Sequence, residues 1–394
     1  MKRSSYLASA VVLALCACAG ERDDPAAPQV VATSRDLAAA SAPLDPGSGT
    51  LVMTHLANPR GLAWGPEGAL YVAEAGRGGR ATPGPCFEFA GTVCYGATGG
   101  VSRLWHGRQE RVIDDLPSYA QLNSGRAEGP NGISIHGRGG AYVTIGLENN
   151  PAVVRARAPE WAQFGRLVHI APSALSRGEG PPDSRPAWEF AADLGQYELD
   201  RNPDCGDIDS NPFGVLAEPG GVIVTDAGGN YLARLDASGG LSDFAVFWNN
   251  TTVPGPGCPP TASRDFVPTS IVVGPDGAYY IGHLNGLPIA AGSSSVWRME
   301  RGGTPEVFRS GFTWIISLAF DPNGNLYVLQ HSDGPLTNSG GSLIQVAPDG
   351  SRRTVVAGLQ RPGGVVAGPA GDVYVSMVPG ANFKGEGEVR RYTP

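Results

Sequence analysis

The chain has 394 residues, of which 57 are Gly and 34 are Pro, and its formal net charge at pH 7 is −8. That length would ordinarily suggest about two domains. An acidic chain without a basic cluster argues against nucleic-acid binding. The many Gly and Pro residues favour short strands joined by tight turns.

The N-terminus has the pattern of a bacterial export signal. Two basic residues precede an apolar run over residues 6–15, which is too short to span a bilayer. Ala17 stands directly before Cys18, which resembles the lipobox of bacterial lipoproteins. We predict a signal peptide over residues 1–17 and acylation at Cys18. The anchor would hold the exported protein at the periplasmic face of the outer membrane or at the cell surface. The alternative is ordinary cleavage that releases a secreted protein with free thiols.

Residues 18–48 are rich in Ala, Pro, Ser and Asp and contain almost no large apolar side chains. Such a segment cannot bury enough apolar surface to fold. We therefore predict a flexible tether over residues 18–48 and one folded domain over residues 49–394.

One hairpin unit recurs six times in that domain. Its clearest copy has strands at 270–273 and 278–281 around the turn 274–277. Pro275 and Gly277 suit the backbone angles of a tight turn, and the β-branched and aromatic flanks suit half-buried strands. The other copies have their turns near Gly68, Gly139, Gly221, Gly324 and Gly371.

This repeat predicts an all-β fold, a six-bladed β-propeller of four-stranded antiparallel blades. A lone hairpin is barely stable in water, so the units must stack on one another. The chain ends one strand short of a complete last blade. We predict that residues 50–54 supply that strand, closing the ring and removing an exposed edge.

Four cysteines lie in the propeller, and export would place them where disulfides form. Cys86 and Cys94 flank one loop excursion and are predicted to pair, which leaves Cys205 and Cys258 for a second bridge. A zinc site is the alternative, but no spacing here is the short Cys pair that zinc uses.

The ends of the second strands predict where a site would lie. In an antiparallel blade these strands end on the face that carries the long connections, predicted at 75–100, 146–165, 195–211, 249–267, 284–295 and 331–341. Loops on a rigid scaffold often carry function. The strand-end positions are Glu74, Ile145, Asp226, His283, Gln330 and Met377, and residues entering the first strands add Arg60, Asn131, Asn211 and Thr269. The polar members of this set predict a pocket at the channel mouth; the alternative is an ordinary solvated channel lining.

One loop suggests a hard cation. Asp207, Asp209 and Asn211 alternate along the chain, as oxygen ligands of calcium often do. The loop is not an EF-hand, because Pro212 stands where that loop needs glycine. The alternative is a run of ordinary turn residues. No other cofactor is predicted.

Several stretches carry a family resemblance: 58–79, 93–100, 209–214, 225–230, and 268–270 with 274–280. Together they resemble the ScyD/ScyE family, exported propellers similar to the NHL and TolB types. The resemblance covers nearly all of residues 50–392 and implies the same fold and an exported location. It supplies no reaction. More distant six-bladed relatives include calcium-dependent lactonases and streptogramin lyases, to which Glu74, Asp226 and His283 would correspond by position.

Two functions remain at this point. The first is a non-catalytic, monomeric propeller that binds a small molecule, a glycan or a protein partner on its loop-rich face and meets the membrane only through its lipid. The second is a metal-assisted hydrolase or lyase, with Glu74 and Asp226 as ligands or bases and His283 as proton carrier.

Overall fold

The hairpin repeat builds six antiparallel sheets, and each sheet is one blade of a propeller. The computed structural model describes residues 42–80, 84–88, 91–175, 186–247, 265–335, 339–379 and 386–394. In this part of the chain the inner strand of every blade contacts the inner strands of both neighbouring blades, so the ring is closed. The predicted six-bladed β-propeller is confirmed.

Blade 1 is larger than predicted. The chain first forms β1 (Thr50–Ala57), and blade 1 then contains β2 (Pro59–Trp64), β3 (Leu70–Glu74), β4 (Cys86–Glu88), β5 (Thr92–Trp105), β6 (Arg108–Gln121) and β7 (Ala127–Glu128). Strands β5 and β6 have 14 residues each. The N-terminal half of β5 and the C-terminal half of β6 extend past the blade on the face of the long connections. There β5 pairs with β4, and β6 pairs with β7. We call this extension, residues 84–88, 91–99 and 116–128, the blade-1 arm.

Blades 2 to 5 are four-stranded meanders. Blade 2 has β8 (Pro130–Ile135), β9 (Ala141–Ile145), β10 (Arg166–Ile170) and β11 (Trp188–Asp193); blade 3 has β12 (Pro212–Glu218), β13 (Gly221–Asp226), β14 (Tyr231–Asp236) and β15 (Leu241–Val246). Blade 4 has β16 (Pro268–Val273), β17 (Tyr279–His283), β18 (Ser294–Met299) and β19 (Glu306–Phe312); blade 5 has β20 (Ile315–Phe320), β21 (Leu326–Gln330), β22 (Gly341–Val346) and β23 (Arg352–Leu359). Within the described connections there are three short α-helices: α1 (Pro151–Arg155), α2 (Pro172–Leu175) and α3 (Leu194–Arg201).

Blade 6 contains both ends of the propeller. It consists of β24 (Pro362–Ala367), β25 (Val373–Met377) and β26 (Glu386–Tyr392), and β1 completes it by pairing with β26. The predicted closure by an N-terminal strand is therefore confirmed. The folded part begins earlier than predicted, because Leu44, expected in the tether, pairs in parallel with Val356 at the edge of blade 5.

Small residues allow the inner strands to approach each other around the channel. A Cβ atom on Gly61 would lie 2.8 Å from the backbone oxygen of Asn131, and one on Gly132 would lie 2.5 Å from that of Phe213. Side chains there would push neighbouring blades apart. Two of the predicted long connections lie where they were expected, between β9 and β10 and between β11 and β12, whereas the one predicted at 75–100 contains β4 and the first half of β5.

One of the two predicted disulfides is confirmed in full. Cys86 and Cys94 form a disulfide with a sequence separation of 8 residues, which holds β4 against β5 in the blade-1 arm. Cys205 is also disulfide-bonded, whereas its expected partner Cys258 lies outside the described residues, as does Cys18. No helix in the described ranges is long and apolar enough to cross a membrane.

Candidate functional site

The predicted ring of strand ends is present, but its polar side chains do not form a pocket. Strands β3, β13, β17 and β21 end at Glu74, Asp226, His283 and Gln330. All four side chains are buried. None of the four lines the cavity at the channel mouth.

Glu74 and Asp226 bind backbone amides of the segment that enters their own blade. Glu74 Oε2 accepts from the amide of Ala57 at 2.5 Å. Asp226 Oδ1 accepts from the amide of Asn211 at 2.7 Å, and burial raises the pKa of Asp226. Each carboxylate therefore ties the incoming chain to the second strand of the blade.

His283 and Gln330 make the same connection with other chemistry. His283 Nδ1 donates to the carbonyl of Phe266 at 3.0 Å, and its Nε2 accepts from the amide of Ser295 at 2.9 Å. Gln330 Oε1 accepts from the amide of Thr313 at 2.8 Å. Burial lowers the pKa of His283 to about 4. With both ring nitrogens engaged, His283 has no free position for carrying protons to a ligand.

The loop-side mouth of the channel holds a cavity of about 510 Å³. Three predicted site residues line it, Arg60, Asn211 and Thr269, together with Asp209 from the predicted calcium set. Asn131 lies deeper and lines the channel, a second cavity of about 380 Å³. The other polar or aromatic residues at the mouth were not predicted: Arg126, Glu128, Glu148, Phe213, Asp265, Asn285, Trp314 and His331.

The blade-1 arm brings charged groups over the mouth. Strand β7 ends at Glu128, and Arg126 stands directly before this strand. Arg126 Nη2 donates to Glu148 Oε1 at 2.5 Å. Arg60 Nη2 donates to the carbonyl of Ala127 at 2.9 Å and approaches Glu128 Oε1 at 3.5 Å. The mouth therefore contains an alternating set of two guanidinium and two carboxyl groups.

Glu128 is the most perturbed acid of this set. It is 4 % exposed, and the Glu148 carboxyl is a like-charged neighbour. Burial raises the pKa of Glu128 to about 7, the charge of Glu148 adds to the shift, and Arg60 and Arg126 oppose it. Glu128 can therefore exchange a proton near neutral pH.

His331 and Trp314 form the blade-5 wall of the mouth. His331 Nδ1 donates to the carbonyl of Pro362 at 3.0 Å, which fixes the tautomer with Nε2 as an acceptor. Burial lowers the pKa of His331 to about 4, and the guanidinium groups of Arg60, Arg361 and Arg126 contribute in the same direction. The ring centroids of His331 and Trp314 are 6.2 Å apart. His331 is therefore a neutral acceptor at physiological pH.

A left-handed backbone conformation brings side chains to this face. The residue before the inner strand has positive φ in four blades: Asn58 (53°), Val267 (55°), Trp314 (48°) and Arg361 (44°). Left-handed φ is unfavourable for a β-branched or bulky residue and often marks a functional position. Val267 and Trp314 both line the mouth cavity.

The predicted calcium ligands do not form a metal site. Asp207 is exposed, while Asp209 and Asn211 face the mouth. The Asn211 side-chain oxygen accepts from the amide of Leu147 at 3.1 Å, so it braces a neighbouring loop. Across the described ranges, no group of three or more His, Cys, Asp or Glu side chains is arranged to hold a metal ion. The described side chains therefore show no preformed site for the predicted ion.

Known proteins support the fold and no more. No protein-family model and no curated protein matches the chain. A structural-genomics protein of unknown function from Bacteroides thetaiotaomicron is 10% identical with a TM-score of 0.51, over 88% of this chain and 74% of that one. Virginiamycin B lyase from Staphylococcus aureus is 12% identical with a TM-score of 0.43, over 86% and 85%. A gluconolactonase from Xanthomonas campestris is 15% identical with a TM-score of 0.43, over 71% and 80%.

Proposed function

We propose that the protein is a binding propeller that takes up a small polar molecule, or the end group of a glycan, at the mouth of its channel. One observation carries the proposal. Four buried side-chain atoms of mouth residues have no hydrogen-bond partner within the described part of the chain: Arg60 Nε, Glu128 Oε2, Asp209 Oδ1 and Trp314 Nε1.

Unpartnered buried polar atoms are costly, at about 1–3 kcal/mol each, and native folds contain few of them. Here four belong to residues lining one cavity. Arg60 and Trp314 offer donors, whereas Asp209 and Glu128 offer acceptors when ionised. A ligand with both hydroxyl-type donors and oxygen acceptors would satisfy them. The cavity volume of about 510 Å³ lies in the range of roughly 300–1,000 Å³ typical of small-molecule sites.

The test is a ligand screen by thermal shift on the full chain and two matched variants. Leu284→Trp fills the mouth cavity, whereas Leu216→Trp makes the same change in the channel cavity beyond it. Both leucines are partly buried, so the two variants should be destabilised to a similar extent. We expect compounds that raise the melting temperature of the wild type and of Leu216→Trp but not of Leu284→Trp. The proposal would be refuted if every active compound raised the melting temperatures of the two variants equally, or if no compound from a broad polar library raised that of the wild type.

A second candidate function is catalysis, a hydrolase or lyase reaction, and the Glu128–Glu148 pair favours it. A carboxyl group with a pKa of about 7 can act as general acid or base at neutral pH. His331 Nε2 could accept a hydrogen bond from the same substrate. The calcium-assisted form of this reaction gains no support from the described side chains, among which no group of three or more His, Cys, Asp or Glu residues is arranged to hold a metal ion. Turnover of any mouth ligand that is lost in Glu128→Gln, with binding retained, would establish this candidate.

We further propose that the chain is a member of the ScyD/ScyE family and is exported as a monomeric lipoprotein acylated at Cys18. The sequence motifs support the family, and the Cys86–Cys94 disulfide supports an oxidising compartment. Metabolic labelling with a fatty-acid probe should mark the wild type and not a Cys18→Ala strain. Equal labelling of both would remove the anchor.

A further inference from the structure

A second cavity adjoins the mouth and has a different charge. It measures about 360 Å³ and shares Arg60, Arg126 and His331 with the mouth cavity. Its third cation is Arg361, and none of the described residues that line it is an Asp or a Glu. In a chain whose net charge is −8, a pocket of three arginines without an acid is unexpected. We call it the arginine pocket.

The three arginines reach the arginine pocket from separate elements. Arg60 belongs to β2, Arg126 stands before β7 in the blade-1 arm, and Arg361 precedes β24 with a left-handed φ of 44°. Their guanidinium groups surround His331 closely enough that all three lower its pKa. A neutral His331 adds no further positive charge to this site.

The carboxylates that pair with Arg60 and Arg126 are Glu128 and Glu148, and both line the mouth cavity. Arg60 meets Glu128 only at 3.5 Å, which is the limit of a hydrogen bond. Its Nε is buried with no partner in the described chain. The uncharged lining residues besides His331 are Asn58, Pro59, Gln121, Ser124 and Val378. Arginine presents a planar fork of donors that matches carboxylate and phosphate oxygens, often in pairs.

We propose that the arginine pocket binds the oxyanion of the ligand, a carboxylate or a phosphate group, while the rest of the ligand lies in the mouth cavity. This inference rests on the proposed function and narrows it to organic anions. The two cavities share three residues, so one molecule can contact both. The unpartnered atoms at the mouth would then bind its hydroxyl groups.

The experiment measures dissociation constants by titration calorimetry at low and high salt. The probes are matched pairs of sugar acids and hydroxy acids with their neutral amides or alcohols, together with inorganic phosphate and sugar phosphates. We expect the acidic member of each pair to bind at least tenfold more tightly than its neutral counterpart, and we expect added salt to weaken the binding of the acid. Carboxylates and phosphate monoesters are compared directly, so their ratio identifies the oxyanion.

Three variants accompany the wild type. Arg361→Gln should weaken the anionic probe at least tenfold and leave its neutral counterpart unchanged. Arg361→Lys keeps the positive charge but loses the planar fork of donors, so its affinity for the anionic probe should lie between that of the wild type and that of Arg361→Gln. This variant also controls for misfolding of Arg361→Gln. Arg108→Gln removes an exposed arginine at the start of β6 and should leave the affinity for both probes unchanged.

The possible outcomes separate the two proposals. If neutral compounds bind as tightly as acids and Leu284→Trp abolishes their binding, the oxyanion inference is wrong but the mouth remains a binding site. If Arg361→Gln leaves acid binding intact, the inference is also wrong. If neither acids, phosphate nor neutral compounds bind, both proposals fail.

Discussion

Glu198 provides the sharpest physical prediction, because its carboxyl group is buried without compensation. It lies on α3 with 0% exposure, and neither oxygen has a hydrogen-bond partner in the described part of the chain. Burial raises the pKa of Glu198 from 4.5 to about 9, and the nearby carboxylates of Asp226 and Asp204 add to the shift. The group is therefore protonated in the folded protein at neutral pH.

This shift makes Glu198 destabilising above its unfolded pKa. Below about pH 4.5 the group is protonated in both states and has no effect. Between about pH 4.5 and 9 only the folded state keeps the proton, so stability falls as the pH rises, by about 1.4 kcal/mol per unit. At pH 7 the difference of about 2.5 units corresponds to roughly 3 kcal/mol.

Glu198→Gln removes this titration while keeping the shape of the side chain. We expect the variant to exceed the wild type in free energy of unfolding by about 3 kcal/mol at pH 7, by less than about 1 kcal/mol at pH 5, and by more at pH 8.5. Urea denaturation at the three pH values measures these differences. Asp200→Asn, an exposed acid on the same helix, should show no comparable gain.

A gain that does not depend on pH would refute the reasoning, because the effect would then not arise from ionisation. A loss of stability at every pH would contradict it more strongly. That result would mean that the carboxylate of Glu198 is ionised in the folded state and engaged by a cation.

Two further predictions concern the blade-1 arm. Cys86→Ser should lower the free energy of unfolding by about 2–3 kcal/mol, because the bridge no longer restricts the unfolded chain. The melting temperature of the variant should match that of wild-type protein in which only the Cys86–Cys94 bridge has been reduced. If reducing that bridge leaves the melting temperature of the wild type unchanged, the predicted stabilisation by the disulfide is wrong. The affinity of a mouth ligand should change through about pH 7, where Glu128 titrates. The change should be smaller in Glu128→Gln, in which only Asp209, whose pKa burial also raises to about 7, still titrates at the mouth. Isothermal titration across pH 5–9 tests this, and an identical profile in the variant would exclude Glu128 as the titrating group.

The repeat could be predicted from the sequence because each hairpin carries its own local signals. The turn at Gly277 and the β-branched and aromatic residues on either side of it predict two strands, which the structure contains as β16 and β17. The closing strand could also be predicted, since a ring that lacks one strand leaves an edge that only β1 can fill.

The blade-1 arm could not be predicted from local signals. Glycines at 96, 99 and 100 suggest a loop, yet all three lie within β5. The reason is tertiary. A Cβ atom on Gly96 would lie 2.4 Å from the carbonyl oxygen of Gly78, so the glycine permits a close backbone approach that the sequence does not reveal. The arm carries Arg126 and Glu128, and the prediction missed them for this reason.

Of the predicted site residues, Arg60, Asn211 and Thr269 line the mouth cavity, whereas the polar strand-end side chains bind backbone groups. Counting strand ends located Glu74 and His283 correctly, yet strand periodicity does not tell whether a polar atom faces a ligand or a backbone amide. The residues before the inner strands were overlooked because no propensity predicts a left-handed Val267 or Trp314. His331, one residue beyond a strand end, was missed for lack of any local signal.

The most direct test of the mouth as the binding site is a crystal structure of the full chain with the tightest compound from the screen. The account predicts ligand density in the loop-side cavity, in contact with Arg60 and Trp314 and with its acidic group among the three arginines. Density at the opposite end of the channel, against Trp64 and Phe320, would contradict it.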